Sequence, residues 1–505
     1  MIRSIWTTLL AVASASSLSA GERSVWVNVM DFGATGSKFE TTAVAAAGSK
    51  QVTVAKVGDF QVGQGVMVSR CNVRYTHGSL WGPKKDYARS EPLKDAVQMR
   101  GYDGTAGSWV VYVLDVGPGK RAFRWTDDLG RTWHPDTSIT GQWQTLGGNT
   151  EVRFGQRDWE SGYVVVISAR DQLMTTIEKI EGNVLTLKDA ANRSVKDAVV
   201  RHCDDAAIQA AVDRAVKEKR NVYFPIGHYR LAHGIAVQDA AAVTLEGQSA
   251  VDTLLDISDG EGSCFALRGG DEVTLRNFRL VGHMGFDRRD QAGAMSTRGA
   301  GGVWGFYFKL CNALNVSGTE RVLVENCHAS RMSCECFYSA GPGRWKGSEP
   351  KKYTKALTFL RCSVTDAARN AFNNNDFAEN TSVLYCRIVD VGGCSWEGAS
   401  RFVRFIGNYV RNGGTVAIGN IGSREASLEE LGSGQHIIAD NVFESCVPYG
   451  GCAVRAAVGA TQVIIRNNLF VNFASSAVEV LGTADERHLP AGISTITGNI
   501  FDMTN

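Results

Sequence analysis

The sequence predicts an all-β solenoid, a parallel β-helix in which each coil of chain stacks on the one before it. Two observations carry this. A short apolar strand ending in Asn or Cys recurs through the last third of the chain, as Val322–Cys327, Leu357–Cys362, Val383–Cys386, Phe405–Asn408, Ile437–Asn441, Ile464–Asn468 and Ile493–Asn499. The composition, Gly 55 against Pro 9 in 505 residues, suits many short strands joined by tight turns that need positive φ.

The recurrence sets the coils. With Cys362, Cys386, Asn408, Asn441, Asn468 and Asn499 as one column, the steps vary from 22 to 33 residues. A fixed strand with a variable step means one coil per repeat and insertions that loop outward. No single coil can bury its own apolar face. Coils stacked about 4.8 Å apart form a continuous core and pair their backbone groups with their neighbours.

The remaining elements follow in chain order. Met1-Ile2-Arg3, the apolar stretch Ile5–Val12 and small residues through Ala13, Ala15 and Ala20 read as a signal peptide over 1–20. The expected protein is therefore secreted or periplasmic, with no membrane association after signal removal. Residues 21–39 and 200–505 are assigned to the β-helix, and 40–199, rich in aromatic and β-branched residues, to an inserted β-rich module. Within 204–215, Ile208, Ala211, Val212 and Ala215 share one face of a helix that Asp204 or Asp205 can cap. That helix is expected to close the N-terminal end of the solenoid, where an open coil edge invites aggregation.

Charge and cysteine usage narrow the function. A net charge of +1 argues against a general nucleic-acid binder. Of 12 cysteines, Cys327, Cys362 and Cys386 occupy the ladder column and are expected as buried free thiols. A bridge is expected between Cys446 and Cys452, and another from Cys334 or Cys336 to a neighbouring coil. The nine histidines show no ligand spacing, so no metal site or cofactor is assigned; acidic Ca²⁺ ligands stay open.

Three segments in order, Val27-Asn28-Val29-Met30-Asp31-Phe32-Gly33-Ala34, Asp204-Asp205-Ala206-Ala207-Ile208-Gln209 and Tyr223-Phe224-Pro225-Ile226-Gly227, resemble the pectate lyase and polygalacturonase superfamily. The resemblance implies a right-handed helix and a polysaccharide groove on one sheet. Its first two segments usually lie close together, whereas roughly 170 residues separate them in this chain. The polygalacturonase signatures Asn-Thr-Asp, Asp-Asp, Gly-His-Gly and Arg-Ile-Lys are missing from the matching coils. Within the insert, Thr126–Trp133 resembles the Asp box of sialidase-like propellers, with Asp128 bonding turn amides, Gly130 in the turn and Trp133 packed beneath. Trp125, Trp143 and Trp159 are candidates for stacking on sugar or for packing a core.

Alignment of the strands that open each coil puts Phe306 or Phe308, Phe337, Phe372, Trp396, Val454 and Val478 inside. It puts Tyr307, Tyr338, Asn373, Glu397, Arg455 and Glu479 in one outward line. Such a face suits an extended polymer. Glycoside hydrolysis needs two carboxyls about 5 to 10 Å apart, and Glu397 with Asp376 one coil earlier can supply them. Asn373, Asn374, Asn375, Tyr307, Glu479 and Arg268 are the expected substrate-binding residues. The competing chemistry is β-elimination from a uronic acid polymer, with Tyr338 or Lys309 as base and Arg455, Lys309 or Arg268 neutralising the carboxylate. A third reading is a non-catalytic adhesin or tailspike-like glycan binder. The expected partner in all three is a polysaccharide; oligomeric state is not assigned.

Overall fold

The computed structural model describes residues 26–81, 97–102, 107–127, 132–147, 149–156, 159, 161–162, 164–283, 311–341, 353–374, 378–398, 400–418, 435–444, 452–456, 460, 462–473, 476–480 and 494–502. The expected signal peptide lies outside them.

The chain forms a right-handed parallel β-helix of three sheets, with eleven, ten and nine strands. One coil visits each sheet once. Thr354–Leu360 of the eleven-stranded sheet leads through Cys362 to Ser363–Ala367 of the ten-stranded sheet, then to Phe372–Asn374 of the nine-stranded sheet. Every pairing within these sheets is parallel, and the register carries from coil to coil, as in Val322↔Leu357, Leu357↔Thr381 and Thr381↔Val403, with one irregularity between His233 and Ile235 where the nine-stranded sheet begins. Inward residues of all three sheets merge into one core running from Val27 to Ala477.

The repeated Asn and Cys column lies at the corner between the eleven- and ten-stranded sheets. The residue before each member is left-handed, at Asn326, Arg361, Tyr385, Gly407, Asp440, Asn467 and Gly498, with φ from +51° to +69°. This backbone turns the corner and points the next side chain inward. Asn408, Asn441 and Asn468 then form a ladder. Asn408 donates from its backbone N (2.8 Å) and Nδ2 (3.0 Å) to Asn441 Oδ1, and Asn441 repeats both bonds to Asn468 at 3.0 and 2.9 Å. Each Nδ2 also reaches the carbonyl three residues before the preceding ladder member: Asn408 to Val383, Asn441 to Phe405 and Asn468 to Ile438. The cysteines keep part of this pattern. Cys362 Sγ donates to Val324 O at 3.4 Å and Cys386 Sγ to Phe359 O at 3.5 Å, while Cys386 N donates to Asn408 Oδ1.

The helix Asp205–Glu218 covers the first coils, burying Ile208, Ala211, Val212 and Ala215 as expected. Its cap differs from expectation. Asp204 holds the N-cap position but makes no side-chain capping bond. Its buried carboxylate instead accepts Thr35 N (2.7 Å), Thr35 Oγ1 (3.1 Å) and Gly36 N (3.3 Å). Asp204 thus clamps together the two ends of the chain that the insert separates.

The insert is nested. Glu40–Ala45, Gln51–Val54, Gly65–Val68, Leu173–Glu181, Val184–Leu187 and Val195–Cys203 close a barrel with its own core. Between its third and fourth strands the chain runs through a five-stranded antiparallel sheet and a three-stranded sheet around a third core. Trp125 and Trp159 belong to that core, at 6% and 4% exposure, so neither offers a ring to sugar. Trp143 is half-exposed with Arg100 and Arg153 over its ring, at 4.3 and 5.0 Å. Asp128 and Gly130 of the Asp box lie outside the described residues. Buried Arg170, on the last strand of the five-stranded sheet, donates to Gly260 O at 2.9 Å and pairs with Glu261 at 3.2 Å. The insert therefore meets the solenoid where the nine-stranded sheet begins.

Cys71, Cys203, Cys264, Cys311, Cys327, Cys334, Cys336, Cys362, Cys386, Cys394 and Cys452 are all buried free thiols. The ladder thiols match expectation; the bridge expected of Cys334 or Cys336 does not form. Cys446 lies outside the described residues.

Candidate active site

The nine-stranded sheet supplies the candidate groove. Its register runs Ile235, Phe265, Leu314, Phe337, Phe372, Trp396, Val416, Val454, Val478 on the inner side. The adjacent outer line is Ala236, Ala266, Asn315, Tyr338, Asn373, Glu397, Ala417, Arg455, Glu479 in the same pairings. Tyr338, Asn373, Glu397, Arg455 and Glu479 thus occupy the line expected for them. One coil is corrected. The segment carrying Phe306, Tyr307, Phe308 and Lys309 lies outside the described residues, and Leu314 and Asn315 take its inner and outer positions. The apolar-polar alternation of Gly305–Lys309 fits this place in the sheet as well as that of Cys311–Ser317 does, so pattern alone cannot choose between them.

Glu397 stands in the middle of the outer line. Its Oε2 accepts Asn370 Nδ2 at 2.6 Å and Asn373 Nδ2 at 2.9 Å, and Arg369 Nη2 lies 3.5 Å away. The side chain retains 13% exposure. Arg369 uses its other terminal nitrogen, Nη1, on Glu335, whose side chain is only 4% exposed. Glu335 also accepts from the Cys334 thiol, and its backbone carbonyl accepts Asn312 Nδ2 at 2.6 Å. Burial pushes the Cys334 and Cys394 thiols well above the ordinary cysteine range, and the neighbouring carboxylates Glu335 and Glu397 add to the effect. These thiols act as small buried groups, not nucleophiles.

Farther along the line, Arg455 grips Glu479 through two nitrogens, each at 2.9 Å. Burial alone would raise the Glu479 carboxyl, but the bonds from Ser476 and Arg455 outweigh it and leave the group below its ordinary value. Between Glu397 and Arg455 the outer position is Ala417.

The other expected site residues divide. Asn373 is buried and holds Glu397. Asn374 is a correction: it is fully buried, with Nδ2 donating to Thr381 Oγ1, and so it braces the coil corner instead of facing substrate. Arg268 lies at the end of Glu261–Arg268, four strands from Glu397 in the sheet, and is not brought to the cluster. Asn375 and Asp376 lie outside the described residues. Sequence reasoning missed Glu335, Arg369 and Asn370. Glu335 and Asn370 occupy the turn two residues before the inward Phe337 and Phe372, one position upstream of where the strands were aligned. Matching offsets in successive coils were the signal that would have found them. Among the described residues no group of three or more His, Cys, Asp or Glu side chains is placed to hold a metal ion.

No protein-family model matches the chain, and no curated protein matches it. Several solved structures do. The catalytic unit of a thermostable GH87 alpha-1,3-glucanase from Streptomyces thermodiastaticus is 11% identical, over 87% of this chain and 97% of that one, with a TM-score of 0.34. Endo-xylogalacturonan hydrolase from Aspergillus tubingensis is 10% identical, over 59% of this chain and 89% of that one, at 0.36. ORF18 of Geobacillus virus E2 is 12% identical, over 55% and 56%, at 0.30. Likeness this remote carries no argument about activity or substrate, because unrelated functions share the fold.

Proposed function

We propose that the protein is a polysaccharide-cleaving glycoside hydrolase that binds an extended glycan along the outer line of the nine-stranded sheet. The observation that carries the reading is Glu397: a carboxylate at mid-face, oriented by Asn370, Asn373 and Arg369 yet still reached by solvent. A carboxylate held this way is set for duty as base or nucleophile, and Asp376, one coil earlier in sequence, is the proposed partner acid. Hydrolysis is favoured over elimination because Arg369 and Arg455 are each engaged by carboxylates, so neither is a spare cation for a uronate. The chain is proposed to act outside the cytoplasm, on the strength of its N-terminal residues.

The test is a panel of neutral and acidic polysaccharides, followed by reducing-end release and by absorbance of unsaturated uronides. Hydrolysis predicts new reducing ends without that absorbance; both rising together would establish elimination. Binding with no new ends on any substrate would favour the adhesin. Glu397→Gln keeps the side-chain volume and is expected to lower turnover by roughly 10² to 10⁴-fold, the range for loss of a general acid or base. An unimpaired variant refutes the assignment of Glu397.

A further inference from the structure

Glu335 poses a question that the hydrolytic reading leaves unanswered. It is a carboxylate almost without solvent, too deep to touch a glycan, and an ion buried this way is strongly unfavourable unless it is paired. Its pairing is specific: Arg369 Nη1 takes Glu335, and Arg369 Nη2 faces Glu397. One guanidinium therefore spans two carboxylates two coils apart, Glu335 in a turn and Glu397 on a strand, with the Arg369 coil between them. The planar fork makes this possible; an ammonium has no second fixed edge to offer.

We propose that Glu335 is a positioning residue that acts through Arg369, holding the guanidinium in place and balancing its charge when Glu397 loses its own during turnover. This rests on the hydrolytic reading of Glu397. In either hydrolytic route the carboxylate charge of Glu397 disappears for part of the cycle. As a base it takes a proton from water. As a nucleophile it forms an ester to the sugar carbon while the glycosidic oxygen leaves with a proton from the acid, and water later cleaves that ester. If Glu397 were the sole partner of Arg369, each such event would strip the guanidinium of its counterion in a partly dry site. With Glu335 bound to Nη1, the cation stays compensated. Asn370 and Asn373 complete the arrangement, since neutral donors can hold Glu397 in position without adding charge.

The experiment uses the full chain and the variants Glu335→Gln, Glu397→Gln and Arg369→Met, alone and combined. Glu335→Gln is expected to lower kcat at least about tenfold with KM within twofold, because the loss is felt when Glu397 changes charge and not when substrate binds. Glu335→Asp is expected to recover part of that loss. Urea unfolding supplies a readout that needs no substrate: Glu335→Gln and Glu397→Gln should be non-additive in the native background and additive once Arg369 is Met. Unchanged kcat in Glu335→Gln, or additivity in the native background, overturns the positioning role and leaves the hydrolase reading standing. Full turnover by Glu397→Gln overturns that reading and the role of Glu335 in turnover with it, whatever the unfolding cycle returns.

Discussion

Replacing Asn441 by alanine should remove a large share of the stability of the solenoid. Asn441 is 1% exposed and makes four side-chain bonds. Its Oδ1 accepts Asn408 N at 2.8 Å and Asn408 Nδ2 at 3.0 Å; its Nδ2 donates to Phe405 O at 2.9 Å and Asn468 Oδ1 at 2.9 Å. Alanine removes all four. The groups do not fare alike. Asn408 Nδ2 keeps Val383 O and Asn468 Oδ1 keeps the Asn441 backbone N, but the buried Asn408 N–H loses this acceptor. A stranded buried donor costs about 1 to 3 kcal/mol and each of the three further bonds about 0.5 to 1.5 net, giving roughly 2.5 to 7.5 kcal/mol. Domains are typically stable by only about 5 to 15 kcal/mol. Cysteine supplies a graded control. At Cys362 and Cys386 the thiol donates to the carbonyl that Nδ2 would reach, so Asn441→Cys should keep a weak bond to Phe405 O and fall between alanine and the native chain. Urea unfolding followed by circular dichroism would measure both, with the slope m unchanged. A cost below about 1 kcal/mol for alanine, or a cysteine variant less stable than alanine, would refute the ladder as a source of stability.

Two further outcomes test other parts of the fold. Burial raises the Asp204 carboxyl above its ordinary value, against the opposing bonds from Thr35 and Gly36. The native state therefore binds more protons than the unfolded chain in that window, so the contribution of Asp204 to stability falls as pH rises above the ordinary aspartate range; Asp204→Asn should flatten that slope in unfolding measured from pH 4 to 7, and an unaltered slope would contradict it. Gly414 turns with φ +68° beside the groove, and a Cβ there would run into Gly393 O. Gly414→Ala should cost more than the roughly 1 to 2 kcal/mol of a left-handed alanine alone, read as a lowered thermal midpoint, and a loss within that range would show that the two turns can separate.

Much of the fold was legible because its rules are local and repeat. The inward Asn or Cys at each corner, the alternation along each strand and the apolar face of one helix all recur at set spacings, so each coil checks the next. The line Tyr338, Asn373, Glu397, Arg455, Glu479 followed from that register alone. Legibility ended where the chain left the repeat. Gly305–Lys309 carried a strand pattern whose place in the sheet another segment takes, and nothing in the repeat announces that residues 40–68 and 173–203 close one barrel.

The sequence by itself determined the solenoid, its ladder and the face that Glu397 occupies, because parallel stacking converts a spacing in the chain into an address in space. Only the tertiary structure decided what surrounds that address. Glu335, Arg369 and Asn370 come from turns whose side-chain directions no periodicity sets, and Asn374, next to Asn373 in the chain, points into the corner while its neighbour holds Glu397. A strand's alternation fixes which residues face out; which charges meet across coils depends on where each turn ends, and that is settled by packing.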